Sequence, residues 1–183
     1  MNTQQFLARA VQTMRVLWAA LTASTVLIAA LTFFVVAPGP AGPVNDTNRF
    51  VIGLAALGGA IASFVVPMRI YRTAVARRRH EIAEGEPGPG GRAPARFVDP
   101  DAAVRHATAS WMSPFIIGMA LSESVSLDGL VEHVFRAPTG VTAVFFVAGT
   151  ALALVRFPRP AQILGTYERA QGATFAASGR PLY

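Results

Sequence analysis

From Val16 to Val36 the chain runs for 21 residues without a charge. A bilayer's hydrocarbon core is about 30 Å thick and takes about 20 helical residues to cross, so this run is long enough to span. Three more follow. Val51 to Met68 is uncharged over 18 residues, and Ala137 to Val155 over 19. Trp111 to Leu130 is apolar apart from Ser, Glu123 and Asp128. Backbone groups inside a bilayer have no water to bond, which leaves helices or closed barrels. Unbroken apolar runs lack the alternation of barrel strands. The sequence therefore predicts an all-α integral membrane protein with four transmembrane helices in two helical hairpins.

Composition agrees. Charged residues make up 14% of the 183, against about 25% in a soluble domain. All sixteen cations are Arg, and the chain is rich in Ala, Gly and Pro, as expected of a GC-rich, bacterial coding sequence. A signal peptide would explain Arg9 and Arg15 ahead of the first run. Its apolar core would span about 7–15 residues, however, so a retained helix is expected.

Fourteen of the sixteen Arg lie before the first run, between the second and third, or after the fourth; Arg49 and Arg136 are the exceptions. The positive-inside rule then puts both termini in the cytoplasm of a multi-pass protein of the bacterial inner membrane. The expected organisation is a first hairpin over 1–68, a cytoplasmic Arg/Pro/Gly-rich connector over 69–110, a second hairpin over 111–157, and a cytoplasmic tail over 158–183. Arg77, Arg78 and Arg79 read as a topological anchor on anionic lipid, and this placement argues against nucleic acid as a partner. The expected partners are the lipid bilayer and either further copies of the chain or another membrane protein.

Local signals refine the outline. Asp46 or Asn48 is placed to cap the second helix, which should continue past the membrane through Ile70 to Ile82. Gly85 to Ala95 reads as a linker. Asp99 followed by Pro100 reads as a helix start, and Pro114 should interrupt that helix near the membrane surface. Ile163, Leu164 and Tyr167 suit a short amphipathic turn on the membrane. Ala20-Leu21-Thr22-Ala23-Ser24 parallels Ala120-Leu121-Ser122-Glu123-Ser124, and Gly58 to Pro67 parallels Gly149 to Pro158. This is either a duplication or a chance alignment of Ala/Leu-rich spans.

Glu123 is the chemical focus. A charge at mid-membrane costs about 2.5–3.5 kcal/mol on insertion scales. It either serves ion coupling, by taking and releasing a proton or cation, or bonds across a helix interface. Ser122 and Ser126 are the accompanying ion-binding candidates; their hydroxyls, with that of Ser124, bond either the carboxyl, another helix or their own backbone. Asp128 and Glu132, four residues apart, form either a polar path from outside or an ordinary helix end whose charges reach water; the second is favoured, with Arg136 pairing with Glu132. Ala55, Gly58, Gly59 and Gly149 have the small-residue spacing of close helix contacts. His133 is isolated and there is no Cys, so no metal site is expected. There is no hydrolase triad, phosphate loop or redox pair. The chain is not expected to be an enzyme, and no cofactor is implied.

The run Phe115-Ile116-Ile117-Gly118-Met119-Ala120-Leu121-Ser122-Glu123-Ser124-Val125-Ser126-Leu127-Asp128-Gly129-Leu130-Val131 resembles the carboxylate-bearing helix of the rotor-ring c subunit of the ATP synthase membrane sector. That helix has an apolar run, small residues, an acid and a closing Gly-Leu-Val. The second span, with Gly53, Gly58 and Gly59, is similar more loosely to the family's Gly-rich inner helix. The resemblance implies that Glu123 is an ion-carrying carboxylate, translocating or coupling H⁺ or Na⁺ within an oligomer. The long 69–110 segment, which that family lacks, motivates an alternative: a non-transporting assembly, accessory or anchoring protein. A small-molecule exporter with Glu123 as counter-ion is a further alternative, although exporters of that kind carry the acid in the first span.

Overall fold

The computed structural model describes residues 3–37, 46–84 and 95–175. The Pro/Gly loop before the second helix, the linker at 85–94 and the end of the tail lie outside the described residues, as does the Asp46 side chain. Helices dominate: α1 Thr3–Phe34, α2 Asp46–Ala76, α3 Pro100–Val134, α4 Thr139–Val155 and α5 Pro160–Gln171. Two two-residue strands, β1 Ile82–Ala83 and β2 Arg96–Phe97, pair antiparallel with Ile82 opposite Phe97.

Three helices, α1, α2 and α3, are long and apolar enough to cross a membrane. At 17 residues, α4 is about 25 Å long. It reaches a fourth crossing only when α4 and α5 are taken together as one broken span. Both internal prolines, Pro67 in α2 and Pro114 in α3, are carried within their helices, so α3 stays helical from Pro100 through Pro114 into the apolar run. The start of α3 is the expected one. Asp99 Oδ1 accepts the Ala102 N–H at 2.8 Å, satisfying one of the donors a helix start leaves free, and Pro100 opens the helix.

The chain forms two compact units, which cut across the sequential division expected from composition. The first gathers 1–14, 68–114 and 158–183; the second gathers 15–67 and 115–157.

In the first unit the amphipathic stripe of α5 is covered by protein. Ile163, Leu164 and Tyr167 are each 0% exposed, so the turn expected to lie on lipid is instead core. Phe97 and Phe175 stack at 4.6 Å and adjoin the Tyr167 ring. Leu7 and Val11 of α1 and Val104 of α3 are also buried. α2 stops at Ala76, six residues short of its expected end, and Ile82 pairs in β1 instead. The Gln171 amide from α5 donates to Val75 O at 3.4 Å, which also accepts the Arg78 N–H, and to Arg78 O at 2.9 Å, just past that ending. Arg77, Arg78 and Arg79 follow in exposed, non-helical backbone.

The second unit presents aliphatic side chains on its outside: Val26, Leu27, Leu54, Ile61, Val144 and Val147 are all more than half exposed. An apolar surface of this extent is wrong for water and right for lipid.

The buried face of α5 yields a prediction. Leu164→Ala removes a side chain with no solvent exposure, and its loss should cost about 2–5 kcal/mol. Thermal unfolding followed at Trp111, with Trp18 exchanged for Phe, should show the loss as a lowered midpoint; an unaltered midpoint would mean that the α5 face is not packed.

Candidate functional site

In the second unit the polar groups are carried on several faces of α3. Glu123 is half-buried, and its Oε1 accepts a hydrogen bond from Ser24 Oγ of α1 at 2.8 Å. The neighbouring serines do not join it. Ser124 donates to Leu121 O at 2.8 Å, and Ser122 donates to Gly118 O at 2.8 Å. Both hydroxyls close back on their own helix, a common way for Ser to satisfy itself within a span. Ser126 is fully buried against α4. Of the three ion-binding candidates, the structure thus sets Glu123 toward α1 while Ser126 packs toward α4.

Ser122 has a second partner. Arg156, at the C-terminal end of α4, donates from Nη1 to Ser122 Oγ at 2.9 Å and to Leu152 O at 2.6 Å. Its Nη2 donates to Ser63 O at 2.6 Å and Ser63 Oγ at 2.9 Å on α2. The guanidinium carbon lies 4.5 Å from the Phe64 ring centroid, a favourable position for a cation. Gly118 makes room for it, since a Cβ there would sit 2.8 Å from Arg156 Nε. Sequence reasoning counted Arg156 among the charges that set topology and missed this internal role. The pairing of Ser24 with Glu123 was also missed, although the Ala-Leu-Thr-Ala-Ser repeat placed Ser24 one residue beyond the position equivalent to the acid.

At the far end of α3, Glu132 is 1% exposed and Asp128 is half-buried. The expectation that these charges reach water fails for Glu132, which is sealed from solvent. Arg49 of α2 and Asp128 are within electrostatic reach of it. His133 Nε2 donates to Val36 O at 3.0 Å. Arg136 lies beyond the helix end with φ at 58°, turning the chain toward α4, as a left-handed residue does after a helix.

The small residues divide. A Cβ on Gly59 would lie 3.5 Å from Ser124 and Val125, at ordinary contact, whereas Gly149 presses on α3. Gly58 has open space around it, and Ala55 is exposed.

The first unit holds a polar cluster that the sequence did not single out. His106 Nδ1 lies 2.7 Å from Tyr167 Oη, and His106 Nε2 lies 3.4 Å from Ser110 Oγ. The His80 ring packs at 5.6 Å from His106 and 5.9 Å from Tyr167. Burial pushes the Tyr167 phenol up to about 12, so it keeps its proton. Burial first, then His80 and Arg78, holds His106 below its ordinary value of 6.5. Among the described residues no group of three or more metal-ligating side chains is present.

No family model, characterised protein or solved structure matches the chain. Its chemistry rests on this geometry. A carboxyl held by a neutral hydroxyl can be loaded or emptied without breaking an ion pair, whereas Arg156 is a fixed charge satisfied by neutral oxygens.

Gly149→Ala should cost about 1–3 kcal/mol, since its methyl would collide with Ser126 Oγ and come within 2.8 Å of Ser122 O. Gly58→Ala should leave the unfolding midpoint unchanged or raise it. Equal effects would contradict the packing of α3 on α4. His106 lies five residues before the apolar run begins at Trp111. Its folded-state affinity for a proton is lowered, so the unfolded chain binds the proton more tightly. The stability it contributes is complete above pH 6.5 and is lost as the pH falls below that value. Unfolding midpoints between pH 8 and 5 should fall toward acid, and His106→Asn should flatten the fall.

Proposed function

We propose that the chain is a multi-pass protein of the bacterial inner membrane, with four crossings and both termini cytoplasmic, whose Glu123 takes up and releases H⁺ or Na⁺ within an oligomer. In this reading it is a c-subunit-like element, with α3 as the carrier helix. One observation carries it. The carboxyl is bonded by the hydroxyl of Ser24, while four hydrogen bonds of Arg156 go to Ser63, Ser122 and Leu152. An acid spent on helix pairing would be expected to take a buried cation as its partner, and the four bonds of Arg156 lead elsewhere. An acid meant to exchange an ion is better served by a weak, neutral partner.

The second reading, a non-transporting assembly or anchoring protein, draws support from the first unit. Residues 68–84 and 95–114 build a core with α5, which a mere connector would not need. That unit carries Arg77, Arg78 and Arg79 on its exposed backbone, where anionic headgroups can meet them.

The test is ion flux in proteoliposomes together with carbodiimide labelling. Glu123→Gln should abolish both. Ser24→Ala, which keeps the carboxyl, should keep the labelling. Flux that persists in Glu123→Gln would remove the carrier role and leave the anchoring reading.

A further inference from the structure

Three polar rings meet in the first unit, each in contact with the other two. His80 packs 5.6 Å from His106 and 5.9 Å from Tyr167, and the rings of His106 and Tyr167 lie 5.6 Å apart. They come from the segment after α2, from α3 and from α5. Phe97 of β2 lies 5.9 Å from both His80 and Tyr167 and closes the cluster on one side. Whatever separates these rings therefore lifts α5 off α3.

The hydrogen bond inside the cluster depends on one proton. Tyr167 Oη lies 2.7 Å from His106 Nδ1. Burial keeps the proton on the phenol, so the phenol donates and Nδ1 of a neutral imidazole accepts. An imidazolium donates from both nitrogens and accepts at neither. A proton on His106 thus removes the acceptor that Tyr167 uses. His80 cannot substitute, because its Nε2 is sealed from solvent and has no hydrogen-bond partner among the described residues.

The surrounding charges act in the same direction. Arg78 and His80, after α2, are the groups whose fields reach His106. From α5, Tyr167 faces it, and Ser110 Oγ of α3 lies 3.4 Å from its Nε2. Tyr71 of α2 and Arg169 of α5 are in electrostatic reach of one another, and Tyr71 also of Tyr167. Arg96 of β2 is exposed. Glu168 of α5 is engaged by Thr174 Oγ1 and the Phe175 N–H. Charges on both imidazoles would stand 5.6 Å apart, inside the screening length of about 8 Å in physiological salt. We propose that His80, His106 and Tyr167 form an acid-released latch that seats α5 on α3, closed while the imidazoles are neutral and opened when His106 takes a proton. The latch works whether or not Glu123 carries an ion.

The experiment is amide hydrogen exchange of the full chain in lipid nanodiscs between pH 8 and 5, corrected for the intrinsic pH dependence of exchange. Protection along α5 should fall by about tenfold or more toward acid, while α4 keeps its protection. His106→Asn should abolish the fall, and His80→Gln, which removes the facing imidazole, should reduce it. Protection of α5 that ignores pH, an equal loss along α4, or an undiminished fall in His80→Gln would overturn the latch. Should His106→Asn fail to fold, the wild type and His80→Gln still decide. Failure here leaves the flux result at Glu123 untouched, and the reverse also holds.

Discussion

A guanidinium inside an apolar helix bundle is tolerable only if its N–H groups find oxygens, and Arg156 meets that condition by tying three helices together. From α4 it reaches Ser63 on α2 and Ser122 on α3, and it returns to Leu152 on its own helix. Each charge-assisted bond is worth about 1.5–3 kcal/mol against leaving the donor unpaired. Arg suits the position better than Lys, because its flat fork offers donors in two directions at once. Gly118 is the necessary counterpart, since any side chain there would occupy the guanidinium's space. Lipid supplies no hydrophobic force between spans. A polar tie of this kind therefore contributes to the bundle what burial contributes to a soluble core.

The same logic in reverse governs the first unit. Its residues come from three stretches far apart in the chain, and what joins them is a conventional core of buried apolar and aromatic rings. Phe97 follows the linker, Tyr167 sits on α5 and Phe175 lies beyond it, and the three rings stack with one another. Burying side chains of that size contributes about 1.5–3 kcal/mol each. The exposed Arg residues of this unit and the exposed Val and Leu residues of the other are the two kinds of surface that water and lipid select.

Much of this was legible in the sequence where the signal is local. The apolar runs define the helices because length and the absence of charge are properties of a single segment. Asp99 was legible as a cap because its partner, Ala102, is three residues away. Arg156, Ser24 and Tyr167 were not, because their hydrogen-bond partners on other helices lie 34 to 99 residues off. An Arg just after an apolar run reads as a surface anchor unless the serine that receives it is known. An amphipathic stripe such as Ile163, Leu164 and Tyr167 states that something apolar covers it, and lipid and protein leave the same pattern. Glu132 was misjudged for a related reason: proximity to a helix end suggests water, but only the course of the neighbouring helices decides whether water arrives.

The two glutamates of α3 show how position on a helix divides surroundings. Glu123 and Glu132 are nine residues apart, about 14 Å along the axis and about 180° around it. The first meets the hydroxyl of Ser24 on α1; the second lies on the opposite side of α3 and is sealed from solvent. A half-buried acid with one neutral donor can change its state without disturbing the packing around it. A sealed acid cannot, because any change in its charge must be matched inside the same interface. The two glutamates therefore differ in what surrounds them: Glu123 is half-buried with one neutral donor, and Glu132 is enclosed.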